Sequence, residues 1–155
     1  MPQITPCLWF DTEGEQAAEF YISIFPNSHI TAVSRYGEAG PGTAGSVLTV
    51  SFVLDGREFV ALNGGPQFTF SEAVSFQVDC ATQEEVDHYW TSLVEGGYED
   101  QCGWLKDKFG VSWQIVPHRL PELLQHPDPE TSQRVMTAML GMKKLDIAAL
   151  EAASA

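Results

Sequence analysis

Three cysteines and four histidines are the residues of this sequence best suited to nucleophilic or metal chemistry, but their spacing favours neither. The cysteines, Cys7, Cys80 and Cys102, are odd in number and form no C-x-x-C pair, which argues against a disulfide framework and a zinc ribbon. A nucleophilic thiol needs a neighbouring base or cation to lower its pKa, and no histidine falls on a predicted strand beside Cys7 or Cys102. We therefore expect small buried thiols in a reducing cytoplasm.

Aromatic and amide side chains are better placed to line a binding cavity. Tryptophan rings can stack a planar ligand, although core packing explains them equally well. Two phenylalanines on a predicted loop favour a lid or pocket role, and buried amides either contact a ligand or find partners within the protein. The sequence singles out no catalytic residue. The candidate ligand-binding residues are Trp9, Asn63, Phe68, Phe70, Cys102, Trp104, Trp113 and Gln114.

Several of these candidates fall in residues 101–117, a stretch that predicts a β-hairpin. Two runs rich in aromatic and β-branched residues flank a short polar segment with a glycine, which is typical of a tight turn. From residue 111 onwards bulky apolar residues alternate with polar ones, so Trp113 and Gln114 are expected on opposite faces of the strand. Asp107, between two lysines, is interpreted as part of a solvated turn and not as a catalytic acid.

Composition narrows the classes of partner. The chain has 155 residues with 44% hydrophobic content, enough for one domain with a packed core. There are 21 acidic against 8 basic residues, and the net charge of -13 disfavours nucleic acid and anionic membranes, which both need Lys and Arg. No stretch approaches the roughly 18 apolar residues of a membrane span, and no signal segment opens the chain. We expect a soluble cytoplasmic protein without nucleic-acid or membrane partners.

The predicted elements give an α+β fold in which the second half repeats the first. Each half reads as a strand, an amphipathic helix and further strands, so we predict paired βαβββ modules within one domain: module one 1–65, module two 66–118 and a helical tail 119–155. The predicted strands are residues 4–10, 28–36, 46–54, 57–63, 73–80, 98–105 and 111–117.

Helix boundaries come from capping signals. Asp11 or Thr12 is predicted to cap a helix that runs to Phe25 before a proline, and the pattern from Thr82 to Glu85 is a capping box for a second helix. The tail predicts short helices over residues 120–124, 130–142 and 144–153, packed on the sheets or on a partner subunit.

Paired βαβββ modules resemble the vicinal oxygen chelate superfamily of glyoxalases, bleomycin-resistance proteins and extradiol dioxygenases. Within it the chain closely resembles the bacterial PhnB-like group, labelled a 3-demethylubiquinone-9 3-methyltransferase domain family, and the match runs essentially end to end. The resemblance implies two curved sheets that each wrap a cavity, and commonly a homodimer. The segments that carry it are residues 4–10, 75–80, 101–117 and 142–147.

The resemblance also implies where a metal would bind, whereas a methyl donor would need a sequence motif of its own. Metal-using members place His or Glu on the first and last strands of each module, and the corresponding positions here are Pro6, residues 60–63, Ala73 and Gln114, none of them a good divalent-metal ligand. An S-adenosylmethionine enzyme of the common type has a glycine-rich turn between the first strand and a helix, and no such turn occurs. We expect no metal and no cofactor.

Three functions remain open. The leading hypothesis is a homodimeric, metal-free protein that binds a small apolar or aromatic molecule in a tryptophan-lined cavity. The alternative is an enzyme, either a methyltransferase as the family label says or a metal-dependent lyase, isomerase or dioxygenase whose ligands lie elsewhere in the sequence. A structural dimer whose pockets are filled by its own side chains is the third.

Overall fold

In the computed structural model, which describes residues 2–155, each half of the chain forms one four-stranded sheet with one helix on one face. The chain divides into two compact units between Phe70 and Ser71. Both units have the order strand, helix, three strands, and the helical tail follows in the second unit. The predicted α+β fold of paired βαβββ modules is confirmed. The grouping of the modules into a single domain, with limits at residues 65 and 118, stays a prediction.

The first unit has the sheet order β1-β4-β3-β2, in which β1 and β4 are parallel and the other neighbours are antiparallel. The turn at Asp55 and Gly56 has positive φ at both residues, 46° and 81°, as a two-residue hairpin requires. The elements are β1 (Cys7–Phe10), α1 (Gly14–Ile24), β2 (His29–Arg35), β3 (Val47–Leu54) and β4 (Arg57–Asn63).

Alternation along these strands separates a helix-covered face from an open face. On the covered face Phe52 is buried and stacks with Tyr21 of α1 at 6.3 Å between ring centroids. Phe10 and Ala61 are buried on the same face, because Ala61 pairs with Leu8 and Val50, which lie two residues from Phe10 and Phe52 on their strands. The open face carries half-buried side chains that include Trp9.

The start of α1 differs from the sequence prediction. The N-cap position is Glu13, and it makes no side-chain capping bond, so the predicted cap at Asp11 or Thr12 is wrong. Instead the Gly14 N–H donates to Oδ1 of Asn63, 2.8 Å away and 49 residues later in the chain. A distant amide thus satisfies one of the free N–H groups of the first helical turn, which no local capping pattern reveals.

The second unit has the corresponding sheet order β5-β8-β7-β6, with β5 parallel to β8. Its helix is capped as predicted, because Oγ1 of Thr82 accepts from the Glu85 N–H at 3.2 Å. The covered face buries Leu105 and Ile115, and the helix contributes Trp90. The elements are β5 (Ser75–Cys80), α2 (Gln83–Val94), β6 (Tyr98–Glu99), β7 (Trp104–Lys106) and β8 (Ser112–Pro117).

The prediction of one strand over residues 98–105 is wrong. The chain turns at Cys102 and Gly103, where φ is 61° and 84°, so β6 and β7 are separate antiparallel strands. At Gly103 a Cβ would also lie 2.9 Å from Ile115 O, so the turn needs glycine there. The division supplies the third strand after α2 and makes the second module a full βαβββ unit.

Three short helices form the tail: α3 (Leu120–Leu124), α4 (Pro129–Leu140) and α5 (Ile147–Ser154). The first has the predicted bounds, whereas α4 ends before Met142 and α5 begins three residues later than predicted because Asp146 caps it. The amide of Gln83 joins the tail to α2: it donates to Leu145 O at 3.1 Å and accepts from Ile147 N at 2.8 Å. The tail's own core contains Leu120, Leu123, Val135, Leu145 and Leu150.

None of the helices in residues 2–155 combines the length and the apolar character that crossing a membrane would require.

Candidate functional site

On the open face of the second sheet, three side chains from three neighbouring strands lie in one row. Two of them are predicted ligand-binding residues, and the third is their neighbour in the sheet. The β-ladder pairs Gln77 with Gln114, and Gln114 with Trp104. Directly paired residues on neighbouring strands have Cβ atoms about 4.5–5.5 Å apart, so these side chains are immediate neighbours. Trp104 and Gln114 are half-buried and Gln77 is exposed. We call Gln77, Gln114 and Trp104 the second-sheet row.

The Gln114 amide retains hydrogen-bonding capacity. Its Nε2 donates to Oγ of Ser75 at 2.8 Å, and its Oε1 accepts a longer bond of 3.4 Å from Gln77 Nε2. A primary amide has two N–H donors and two acceptor lone pairs. Gln114 therefore keeps one N–H and one lone pair that these bonds do not use.

One end of the second-sheet row carries a charged pair. Lys106 forms an ion pair with Glu72, and its ammonium lies 5.8 Å from the centre of the Tyr98 ring. The hydrogen bond from Lys106 holds the pKa of Glu72 below its usual value, and the same bond raises the pKa of Lys106. The lysine is paired across the ladder with Ser112, whose side chain is buried, so Lys106 adds an ammonium to the amides of the open face.

Trp113 lies on the opposite, helix-covered face and is 3% exposed. Its indole N–H donates to Asp107 Oδ2 at 2.9 Å. Asp107 is also 3% exposed, and its Oδ1 accepts from the backbone N–H groups of Phe109 and Val111 at 2.8 and 3.1 Å. The prediction of a solvated turn at Asp107 is wrong: the carboxylate is buried and ties the hairpin turn to the strand that follows.

The first sheet has a topologically equivalent row on its own open face, formed by Trp9, Leu62 and Thr49. The Trp9 indole N–H donates to Gly65 O at 2.9 Å, which holds the ring over the chain that leaves β4. Phe68 meets this ring edge-on at 4.9 Å and is 64% exposed. An exposed aromatic loop residue beside a strand tryptophan gives this face an apolar edge.

Two candidates of the first unit lie away from its open face. Asn63 is buried on the side of α1, and both ends of its amide have protein partners, since Nδ2 donates to Val47 O at 3.2 Å. Phe70 meets Phe10 edge-on at 5.1 Å, and Phe10 belongs to the helix-covered core.

The cysteines differ in environment. Cys80 is buried, and this burial raises its pKa to about 12. Cys7 is exposed, so the prediction of a buried thiol is wrong there, although partial desolvation still raises its pKa. Cys102 is half-buried in the turn before β7 and not on an inner strand as predicted; its backbone N–H donates to Met142 O at 2.8 Å. Among the residues that the structure describes, neither Cys7 nor Cys80 has the cationic surroundings of an activated nucleophile.

The structure thus brings Trp104 together with Gln114, and Trp9 together with Phe68, while Trp113 and Asn63 lie on covered faces. A ligand-binding role for all eight candidates stays a prediction. Sequence reasoning did not select Gln77 or Ser75 as site residues. The alternation of polar and apolar residues from 75 to 78 could have identified them, because every second residue of a strand shares a face.

The donor groups on the open faces do not fit a divalent metal. Of the predicted metal positions, Pro6 and Ala73 lie before the strands β1 and β5. The open-face positions at the corresponding places on the first and last strands are Cys7, Val60, Ser75 and Gln114. Transition metals favour imidazole, thiolate and carboxylate ligands, and of these the four positions offer only one thiol, of raised pKa. Within residues 2–155 no group of three or more His, Cys, Asp or Glu side chains could hold a metal ion.

Solved structures with low sequence identity share the fold. Protein PA1353 from Pseudomonas aeruginosa is 20% identical with a TM-score of 0.63, and the match covers 76% of this chain and 98% of that one. The fosfomycin resistance protein FosX from Listeria monocytogenes, solved with Mn(II) and sulfate, is 15% identical with a TM-score of 0.55 over 80% of this chain and 95% of FosX. At these identities the likeness shows the fold alone.

Two further comparisons identify the family, while no protein of curated function matches the sequence. The profile of the family described as 3-demethylubiquinone-9 3-methyltransferase matches residues 2–116. A PhnB protein from Bacillus cereus, whose description gives the same methyltransferase name provisionally, is 38% identical with a TM-score of 0.68, over 75% of this chain and 99% of that one. The chain therefore belongs to the PhnB-like, 3-demethylubiquinone-9 3-methyltransferase family.

Proposed function

We propose that this protein binds a small aromatic or apolar molecule, without a metal, on the open face of its second sheet. The observation that carries the proposal is the direct pairing of Trp104 with Gln114. An indole face can stack a flat ligand, and such aromatic contacts contribute about 0.5–1.5 kcal/mol beyond the apolar area that they bury. The unused N–H and lone pair of Gln114 would fix the orientation of a polar substituent on that ligand.

The polar groups around the second-sheet row support this kind of ligand. Ser75 holds the Gln114 amide on one side, and Lys106 adds an ammonium near the end of the row. Small-molecule sites combine apolar walls with a few placed polar groups. A mostly flat, apolar molecule with one hydroxyl, carbonyl or carboxylate group matches this combination.

Methyl transfer is the second candidate function, because the family profile that matches residues 2–116 has a methyltransferase description. The two mixed sheets differ from the doubly wound parallel sheet, with its glycine-rich turn before a helix, on which common S-adenosylmethionine enzymes are built. A methyltransferase on this fold would have to hold the methyl donor by other contacts.

The proposal includes a homodimer in the cytoplasm. Relatives in the superfamily commonly form homodimers, and three free cysteines without disulfide pairing suit a reducing compartment. The net charge of -13 supports the absence of nucleic-acid partners. Analytical ultracentrifugation measures the dimer directly.

A thermal-shift screen tests the function. Protein purified without chelator is assayed for metal and then heated with divalent metals, S-adenosylmethionine, indole or 1-naphthol, because a ligand that binds the native state raises the Tm. We expect a shift with an aromatic probe and none with metals. A metal-induced shift with stoichiometric metal would refute the metal-free site, and a shift with S-adenosylmethionine would favour the methyltransferase.

Paired variants locate the site. Trp104→Phe should weaken binding of the aromatic probe, measured by titration calorimetry, because a phenyl ring offers less stacking area than an indole. Trp9→Phe is the matched control, with the same change on the open face of the first sheet. If Trp104→Phe and Trp9→Phe weaken binding equally, or if Trp104→Phe has no effect on binding, the second-sheet row is not the binding site.

A further inference from the structure

A cavity of about 470 Å³ lies within the first unit, at the end of the sheet where α1 begins. We propose that it binds a small organic cation, an amine that also carries hydroxyl groups. This site shares no residue with the second-sheet row and does not depend on its function. Its walls are the segment 11–16 around the start of α1, Tyr36 with loop residues 41–47, and residues 63–67 after β4.

The backbone of Asn63 and its side chain hold the three walls together. Its Oδ1 accepts from Gly14 of α1, its Nδ2 donates to Val47 O, and its carbonyl accepts from the Tyr36 hydroxyl. One buried residue therefore joins the helix start, the strand β3 and the loop tyrosine. A site held in this way loses little conformational entropy when a ligand binds.

The glycine-rich loop packs closely on the Tyr36 ring. A Cβ at Gly42 would lie 2.5 Å from the ring, so only glycine allows this approach. Two backbone hydrogen bonds also close the base of the loop: Tyr36 N donates to Ser46 O and Gly45 N donates to Tyr36 O, each at 2.8 Å. The loop wall is thus folded against the cavity.

The charged residues that line the cavity determine whether it favours a cationic or an anionic ligand. Asp11 and Glu15 are the charged residues among those that line the cavity, and both are acidic. The start of α1 contributes about half a positive charge, and Asn63 already occupies the Gly14 N–H. Two carboxylates outweigh that partial charge, so the cavity attracts cations.

Size and polarity narrow the ligand class. The volume falls within the range of about 300–1,000 Å³ for small-molecule sites. Hydroxyl and amide groups lie on all three walls, and they suit a ligand with several hydroxyl groups. A bare metal ion is a poor fit, because no group of three His, Cys, Asp or Glu side chains in the described chain could hold one. The neutral polar side chains of the lining are Thr12, Gln16, Tyr36, Thr43, Ser46, Asn63 and Gln67.

Three probes of one skeleton test the charge selection: glucosamine, glucose and gluconate, which are cationic, neutral and anionic. Each is titrated into the ¹⁵N-labelled protein at constant ionic strength, and amide chemical shifts are followed. We expect saturable shifts with glucosamine in residues 11–16, 41–47 and 63–67, binding at least about threefold weaker with glucose, and none with gluconate. Equal binding of glucose and glucosamine, shifts outside these segments, or no shift with glucosamine would overturn the proposal.

A matched pair of variants tests the carboxylate. Glu15→Gln should weaken glucosamine binding by about threefold, because it removes a full charge from the lining. Glu19→Gln is the control: it makes the same change one turn later on α1, at an exposed residue outside the cavity lining. If the two variants weaken binding equally, general electrostatic attraction by this acidic protein explains the affinity and the cavity does not.

Discussion

The buried carboxylate of Asp107 should be the most stability-critical polar group of the second hairpin. It accepts from Phe109 N, Val111 N and Trp113 Nε1, and the last two of these bonds are buried. Each buried donor left without a partner costs about 1–3 kcal/mol. Asp107→Ala should therefore lower the free energy of unfolding by about 2–6 kcal/mol.

Asp107→Asn separates the individual bonds. The asparagine keeps an acceptor at the Oδ1 position for the two backbone N–H groups, but it points an N–H group at the indole N–H of Trp113. Two donors then face each other in a buried site, and we expect a loss of about 1–3 kcal/mol. In a Trp113→Phe background that conflict is absent, so the same change should cost about 1–2 kcal/mol less.

Urea denaturation followed by circular dichroism, with a double-mutant cycle over Asp107 and Trp113, measures this coupling. Asp100→Asn is the control, because Asp100 accepts an exposed bond from Gln101 N and should change stability by no more than about 0.5 kcal/mol. The reasoning is refuted if Asp107→Asn costs as much with Phe at position 113 as with Trp.

Three further changes have expected outcomes. Gln83→Ala removes the bonds to Leu145 O and Ile147 N, so hydrogen exchange of the Ile147 amide should accelerate by about tenfold. Ser112→Ala removes a buried hydroxyl for which residues 2–155 provide no hydrogen-bond partner, and should raise the free energy of unfolding by about 1 kcal/mol, measured in urea. Burial raises the pKa of Cys80 to about 12 from 9.0. Between these two pH values the folded state keeps a proton that the unfolded state releases, so the free energy of unfolding falls as the pH rises. This fall should be smaller in Cys80→Ala.

Each of these tests has a matched comparison. Gln133→Ala, an exposed change on α4, should leave exchange in the tail unaltered. Ser75→Ala removes a hydroxyl that accepts from Gln114, so it should not stabilise the protein as Ser112→Ala does. A loss of stability in Ser112→Ala, unchanged exchange in Gln83→Ala, or the same alkaline slope in Cys80→Ala and wild type would contradict the respective argument.

Features with local causes could be predicted from the sequence. The alternation of apolar and polar residues identified strands and their faces, so Trp113 and Gln114 were assigned correctly to opposite sides of β8. The Asp55–Gly56 turn and the Thr82 cap have signals within a few residues, and both are present. The repeated order of elements then predicted the paired βαβββ fold.

Features that depend on residues far apart in the sequence could not be predicted from it. The cap of α1 comes from Asn63, which is 49 residues from its partner Gly14. Asp107 lies between two lysines, a pattern typical of solvated turns, but the hairpin directs it at Trp113. The turn at Cys102 is held by the tail, through Met142 O. In each case the partner is chosen by packing, which local patterns do not encode.

The properties of the candidate site also fall into those that the sequence predicts and those that depend on the tertiary structure. The sequence by itself determined the residue types and the strand faces. Only the tertiary structure decided which candidates adjoin: the pairing of Trp104 with Gln114 depends on the register of β7 and β8, and the cavity of the first unit on Asn63 joining three segments. Register and long-range hydrogen bonds arise from the packing of whole elements, because many weak contacts acting together select one arrangement.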